Sequence, residues 1–280
     1  MRILMTGATS YLGGRTIPLL QDAGHEVIAL TRPGTVVSAL SRLRIDSCTW
    51  DAAPEAEVLV HLATFYSGQT LPGQEEEIVQ SNVTMPSRLV ARFLSAGGRR
   101  VVAAGTCWED CGPERLPANL YAASKSAFRT LASSLCGEKD GQLLWLRFTD
   151  IVGVDDPRKR LFRIIGESLR TGTPLLLTAG EQPFDPVWIG DAAAAVAAAT
   201  YAAMDPASNV LDVSIAGGEP ASLRRKIQPI FNLRARSELP VWGARPYRRG
   251  EPFHVNWRPS PTWWSPQRAY AEIMQEIFGA

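Results

Sequence analysis

Tyr121 and Lys125 stand four residues apart in Tyr121-Ala-Ala-Ser-Lys125, a run of good helix formers, so a single helix face would present a phenol beside an ammonium. A phenol with a pKa of about 10 is a poor acid-base group at neutral pH, and a neighbouring cation lowers that pKa by favouring the phenolate. The pair is therefore a candidate for proton transfer at a substrate oxygen. Thr106, which ends the apolar run Ala-Ala-Gly-Thr106, offers a hydroxyl able to hold the same oxygen. Cys107 follows it, but no histidine accompanies the thiol, and a nucleophilic role is set aside.

A second constellation opens the chain. Thr6-Gly7-Ala-Thr9-Ser10-Tyr11-Leu12-Gly13-Gly14 follows an apolar run directly and precedes an amphipathic stretch. In a dinucleotide-binding turn, the first glycine makes the tight bend, the second admits the pyrophosphate, and the third lets helix pack on strand. Here the middle place is Ser10: its Cβ narrows the approach, while its hydroxyl offers a donor at a helix N-terminus. Thr31-Arg32 stands where an acidic residue would bind the ribose 2′-hydroxyl of NAD. A guanidinium there pairs with a 2′-phosphate, so NADP(H) is the expected cofactor. Asp51, after the third strand, is a candidate acceptor for the adenine amine, with a solvated surface aspartate as the alternative.

These residues need a scaffold. Apolar runs at 2–5, 26–30, 58–62, 100–104 and 143–148 alternate with helical patterns at 13–23, 80–95 and 120–135. That βαβαβ order predicts an α/β fold, a Rossmann-type doubly wound parallel sheet with a smaller C-terminal substrate-binding lobe. Residues 1–155 and about 184–215 would form the core, including a helix over 189–205 and a strand over 210–214. Segments at about 156–183 and 216–280, richer in Pro, Gly and Arg, would form the lobe. The alanine-rich run 192–203 is far shorter than the ~20 residues that span a bilayer and reads as a helix packed closely on the sheet.

At 280 residues with a formal net charge of +1, the chain can build one large core. It has no basic stripe to suggest a nucleic-acid partner and no sign of a membrane partner. Cys48, Cys107, Cys111 and Cys136 read as reduced thiols, since the three histidines stand apart from them and no metal site is expected. The opening residues lack a secretory signal pattern, so a cytoplasmic location is expected.

With these motifs in view, the chain resembles the extended short-chain dehydrogenase/reductase superfamily. The matching residues are Thr6-Gly7-x-x-Ser10-x-x-Gly13, His61-Leu62-Ala63, Asn82, Thr106 and Tyr121-x-x-x-Lys125, and the resemblance covers essentially the whole chain. Gly105-Thr-Cys-Trp-Glu109, Asn119-Leu-Tyr-Ala-Ala-Ser-Lys125, the segment 150–158, Gly180-Glu-Gln182 and Gly243-Ala-Arg-Pro-Tyr-Arg248 are similar to nucleotide-deoxysugar 4-ketoreductases of the CDP-abequose synthase type. This implies NADPH-dependent reduction of a 4-keto-6-deoxyhexose carried on a dTDP or CDP nucleotide. Tyr121 would protonate the keto oxygen, Thr106 would hold it, and Lys125 would tune Tyr121 and bind the nicotinamide ribose. Leu62, Ala63, Thr64 and Ile151 would border the cofactor.

The same resemblance gives Tyr66, Cys107, Trp108 and Asp150 as substrate-contacting residues, and Arg160, Arg245 and Arg248 as candidates for the pyrophosphate. It also implies a homodimer built on the helices near 80–96 and 120–136. Two departures bear on the reaction. Dehydratases of the superfamily place an Asp-Glu pair after the threonine, where this chain has Cys107-Trp108. Sugar 4-epimerases usually carry an arginine in the segment matching 182–185 and an acidic residue on the second strand, both missing here. A nucleotide-sugar 4-epimerase with retained NAD and a non-catalytic NADP-binding redox sensor remain the alternatives. The Tyr121 and Lys125 pair counts against the sensor.

Overall fold

The computed structural model describes residues 1–32, 38–66, 72–158, 160–205 and 207–279. Seven strands form one sheet: β1 (Arg2–Thr6), β2 (Glu26–Thr31), β3 (Asp46–Thr49), β4 (Val58–His61), β5 (Arg100–Thr106), β6 (Gln142–Phe148) and β11 (Val210–Ile215). Their order is β11-β6-β5-β4-β1-β2-β3 and every pairing is parallel. Parallel sheets need cover on both faces, so their strands are apolar on both sides. β6 shows the consequence: Leu143 and Trp145 enter one core while Leu144, Leu146 and Phe148 enter the other.

The first of these two cores receives α4 (Met85–Ser95) and α5 (Leu120–Glu138) through Leu89, Val90, Phe93, Phe128 and Ala132. The second receives α1 (Gly13–Asp22), α2 (Ser38–Leu43) and α7 (Ile189–Ala199). The alanines of α7 let it seat tightly, with Ala192, Ala193, Ala195 and Ala199 almost wholly buried. α7 ends at Ala199, short of the expected 205, where the Thr200 hydroxyl turns back to donate to the Ala197 carbonyl at 2.7 Å.

The helix expected from 80 begins earlier. α3 (Glu75–Val79) leads through a π-helical turn, Gln80–Thr84, into α4. Glu75, Glu76 and Glu77 form its first turn, where carboxylates complement the helix dipole but carry no apolar periodicity.

A third hydrophobic core lies apart from the sheet. It gathers Val152, Ile165, Phe184, Leu223, Ile227, Phe231, Leu239, Ile273 and Met274. Its elements are α6 (Leu161–Thr171), α8 (Leu223–Leu233), α9 (Tyr270–Phe278) and three two-strand ladders. β7 (Ile151–Val152) pairs in parallel with β10 (Val187–Trp188), β8 (Leu175–Leu176) in parallel with β13 (Pro240–Val241), and β9 (Pro183–Phe184) antiparallel with β12 (Ala221–Ser222). The first ladder starts just beyond the carboxyl end of β6, so this layer stands over the end of the sheet where ligands collect in open α/β folds.

Candidate active site

The strand order reverses between β1 and β4, and a cleft of about 890 Å³ opens at their carboxyl ends. Gly7 turns the chain out of β1 at φ +71°, and a Cβ there would lie 2.8 Å from the Ala63 nitrogen. A Cβ on Gly13 would run into the Gly7 carbonyl oxygen. Both glycines are therefore required by close backbone approach. Ser10 answers the question its side chain raised: its Oγ accepts the Gly13 N–H at 3.0 Å in the first turn of α1. The hydroxyl proton is left to donate to an anion at the helix N-terminus.

Thr9, Ser10, Tyr11, Leu12, Thr31, Arg32, Leu62, Ala63, Thr64 and Ile151 all line this cleft. Asp51 does not: it is exposed and turns to Arg92, 3.6 Å away, while Trp50 takes the place on the wall. Tyr11 braces the turn from below. Its ring lies under the Arg15 and Arg158 guanidiniums, 4.4 and 5.1 Å from the centroid, and its hydroxyl donates to the Val154 carbonyl at 2.7 Å. Burial pushes its phenol up to about 12.

Thr106, Tyr121 and Lys125 meet on the inner wall of the same cleft. Thr106 ends β5, its Oγ accepts the Trp108 N–H at 3.3 Å, and its hydroxyl also has the Cys107 thiol within hydrogen-bonding reach. Asn119 caps α5 through the Ala122 N–H at 2.8 Å, which starts the helix just before Tyr121. The Lys125 Nζ lies 6.0 Å from the centre of the Tyr121 ring.

Below them, the π-helical turn presents Asn82 to two elements at once. Its Oδ1 accepts from Thr64 Oγ1 and the Phe65 N–H, and its amide donates to the Phe65 carbonyl and Ser124 Oγ at 2.9 and 3.1 Å. Ser124 in turn donates to the Tyr121 carbonyl at 2.7 Å.

The electrostatics depart from the expectation of a lowered phenol. Tyr121 is 8% exposed, and burial, then the Tyr66 hydroxyl, drive its pKa well above the usual value. Lys125, 2% exposed, is pushed down by burial to about 8. Desolvation dominates both shifts, so the phenol is held in its neutral form. His61 beneath them is held neutral, its pKa carried by burial down to about 3, and its Nδ1 shares a hydrogen bond of 2.8 Å with Thr6 Oγ1. Burial also raises the Cys107 thiol well above its ordinary value, consistent with setting that nucleophile aside.

A second cavity of about 650 Å³ continues outward and shares Trp108, Asp150, Ile151 and Arg160 with the first. Arg160 lies 4.3 Å over the Tyr66 ring and 3.9 Å from Asp150, while Arg248 covers Trp108 at 4.8 Å. Burial raises the Asp150 carboxyl against the pull of Arg160, Arg158 and Arg248. Arg245 stands away from both cavities, exposed, its backbone tied to Leu177.

Residues 3–213 match the model of the NAD dependent epimerase/dehydratase family. The chain belongs to that family. One similar protein is the CDP-abequose synthase of Salmonella muenchen, 24% identical over 69% of this chain and 68% of its own length. Another is the dTDP-6-deoxy-L-talose 4-dehydrogenase (NAD(+)) of Aggregatibacter actinomycetemcomitans, 25% identical over 88% of this chain and 100% of its own. Among solved structures, the UDP-glucuronic acid 4-epimerase of Bacillus cereus, with UDP-glucuronic acid and NAD, superposes with a TM-score of 0.78 at 15% identity, covering 100% of this chain and 98% of that one. A double mutant of dTDP-glucose 4,6-dehydratase from Streptomyces venezuelae gives a TM-score of 0.83 at 15% identity, covering 100% and 96%. These structural likenesses fix the fold of this epimerase/dehydratase family member.

Sequence reasoning overlooked several lining residues of this family member. Phe162, Phe184 and Phe278 form an aromatic wall of the outer cavity, the Phe162 ring centre lying 6.0 Å from each of the other two. They are far apart along the chain, and no local signal joins them. Glu109 was also missed, although Thr106-Cys-Trp-Glu109 carries a local signal for it: the pattern is a capping box, and both of its reciprocal bonds form. Among the described residues no cluster of His, Cys, Asp and Glu is arranged to hold a metal ion, all four cysteines are free, and no helix is long and apolar enough to cross a membrane.

Proposed function

We propose that this chain is an NADPH-dependent reductase of the C4 keto group of a 4-keto-6-deoxyhexose carried on dTDP or CDP. The observation that carries the reading is Tyr121: a phenol kept protonated by burial, on one cleft wall with Thr106 and beside a lysine whose pKa is near 8. A ketone becomes an alcohol when a hydride reaches its carbon and a proton reaches its oxygen. In this scheme, Thr106 donates a hydrogen bond to the keto oxygen, Tyr121 transfers its proton there, and the Lys125 ammonium offsets the phenolate left behind.

The cleft fits a pyridine dinucleotide. Gly7 and Gly13 leave room for a backbone-lined diphosphate, Ser10 offers a hydroxyl, and Arg32 lies on the wall at the end of β2 to meet a 2′-phosphate. Bound there, NADPH supplies the hydride. Cys107 and Trp108, in place of two carboxylates, leave no acid-base pair for eliminating water. The outer cavity, with Arg160 and Arg248 over aromatic rings beside Asp150, suits a diphosphate-linked sugar. The 4-dehydrogenase and CDP-abequose synthase relatives are consistent with that substrate class.

We place the third core's segments in a substrate-binding lobe and the enzyme in the cytoplasm, in keeping with its free thiols. A homodimer through the α3–α5 region agrees with the exposure of Val79 and Leu131 there.

The test is the loss of NADPH absorbance with dTDP-4-keto-6-deoxyhexose, then with the CDP form, then with NADH in place of NADPH. Consumption of NADPH with one nucleotide supports the reading. Tightly retained NAD in the purified protein, without turnover of added NADPH, refutes it and favours an epimerase.

A further inference from the structure

One wall of the outer cavity is irregular chain. Arg248, Glu251 and Pro252 line it, and all three lie between β13 and α9. Pro246, Pro252, Pro259 and Gly250, the last at φ +79°, keep residues 245–259 from continuing as helix or ladder. Among the described residues, the one β-bridge of this segment joins Val255 to Cys111. The segment runs as a strap from the lobe to the sheet. It leaves from Leu177, whose carbonyl accepts the Arg245 N–H at 3.0 Å. It arrives at β11, where the Arg258 N–H donates to Ser214 Oγ at 2.9 Å and the Ser214 N–H donates to the Pro259 carbonyl at 3.2 Å.

Under the strap lies the loop 107–119, which joins Thr106 to the helix of Tyr121. Asn256 holds the two together. Its N–H donates to the Asp110 carbonyl at 2.9 Å, and its amide donates to Asp110 Oδ1 and to the Gly112 carbonyl, each at 3.0 Å. His254 Nε2 lies 3.2 Å from Asn256 Oδ1, on the other side of that amide. The Gly112 N–H donates back to the His254 carbonyl at 2.8 Å. Asp110 is 4% exposed, and its Oδ2 takes Arg115 from the loop at 2.6 Å and Arg258 from the strap at 3.2 Å. A buried carboxylate whose side-chain partners are all donors makes strong, charge-assisted bonds. Farther along, Gly250 presses on the loop so closely that a Cβ there would lie 2.7 Å from the Ala118 carbonyl oxygen. Between these contacts the Arg248 guanidinium lies 4.8 Å over Trp108 and 3.0 Å from Glu251.

We propose that Asp110 is a positioning residue: by holding Asn256 and Arg258 it fixes the strap against the Trp108 loop and so sets Arg248 and Glu251 in the wall of the outer cavity. The consequence for turnover rests on the reductase reading above, whereas the anchoring does not. Asp110 lines neither cavity, and Thr106 and Tyr121 are carried by β5 and α5. Loosening the anchor therefore acts on the hold over the substrate and not on the chemical step.

Asn256→Asp keeps the size of the side chain but turns an oxygen toward Asp110 Oδ1 and the Gly112 carbonyl, where an amide had donated. Adding Asp110→Asn exchanges the two groups and again faces one amide with one carboxylate. Hydrogen exchange read by mass spectrometry follows peptides from 245–258. Their protected amides should exchange about tenfold faster in Asn256→Asp, as expected for losing one charge-assisted bond, while peptides from β5 and α5 exchange as in the parent. With the dTDP- and CDP-linked 4-keto-6-deoxyhexoses, KM for the sugar nucleotide should rise about tenfold, with kcat and KM for NADPH within about threefold of the parent. The exchanged pair should restore both readings. Unchanged exchange in Asn256→Asp overturns the proposal. So does damage that the exchanged pair leaves unrepaired, or a fall in kcat at constant KM, since either would trace to the loop alone. Should Asn256→Asp fail to fold, Asn256→Ala decides by the same exchange measurement. If the parent turns over no nucleotide sugar, the reductase reading fails, while exchange in the strap still upholds or overturns the anchor.

Discussion

Replacing Lys125 with methionine should stabilise the fold while abolishing turnover. Methionine is a flexible, unbranched side chain of similar reach, so the site stays filled while the buried charge is removed. The magnitude follows from the fall of the Lys125 pKa from 10.5 to about 8. At about 1.4 kcal/mol per pH unit, keeping this lysine charged costs the folded state about 3 kcal/mol near neutral pH. A base with a lowered folded-state pKa prefers to be charged in the unfolded chain. The cost is therefore complete below pH 8 and disappears as the pH rises from 8 to 10.5.

Urea unfolding of the parent and the variant near pH 7 should differ by about 3 kcal/mol in favour of methionine, and by only about 1 kcal/mol near pH 9.5. A variant no more stable than the parent at neutral pH would refute the reasoning. So would a gain of equal size at both pH values, because it would trace to packing and not to charge.

Tyr121→Phe should lower kcat by at least about a hundredfold while NADPH affinity, followed by fluorescence titration, stays within a few-fold of the parent. Arg32→Ala should weaken NADPH about tenfold to a hundredfold and leave NADH nearly unchanged, for loss of a charged hydrogen-bond partner worth about 1.5–3 kcal/mol; equal weakening of both cofactors would remove Arg32 from the 2′-phosphate. Leu131→Asp, at an exposed apolar position of α5, should convert a dimer to a monomer in sedimentation without changing thermal stability. Turnover of the parent should decline as the pH rises through about 8, where Lys125 loses its proton, and a profile flat to pH 10 would exclude that role.

The sheet was readable because its strands announce themselves locally: short, β-branched, apolar on both faces and punctuated by Gly7, Gly24 and Gly97, each at positive φ. Tyr121, Lys125, Ser10 and Thr106 were equally plain, since helical spacing and a strand-turn-helix context are sequence-local properties. Arg245 and Asp51 show where that locality ends. Both have side chains of suitable chemistry in the expected segment, yet Asp51 pairs with Arg92 on α4 and Arg245 follows a backbone hydrogen-bonded to Leu177. The sign of the Tyr121 pKa also lay beyond sequence. It depends on how much solvent the folded chain excludes, a property of packing and not of spacing.

The bracing of Tyr11 has a mechanical consequence. With its ring gripped by Arg15 of α1 and Arg158 of the segment entering α6, and its hydroxyl fastened to the Val154 carbonyl, it acts as a strut between the floor of one compartment and the roof of the next. A strut resists separation, so the turn that lines one cavity and the segment that lines the other are tied together along this edge. A displacement of the glycine-rich turn is therefore felt at Val154 and Arg158, and the reverse holds as well.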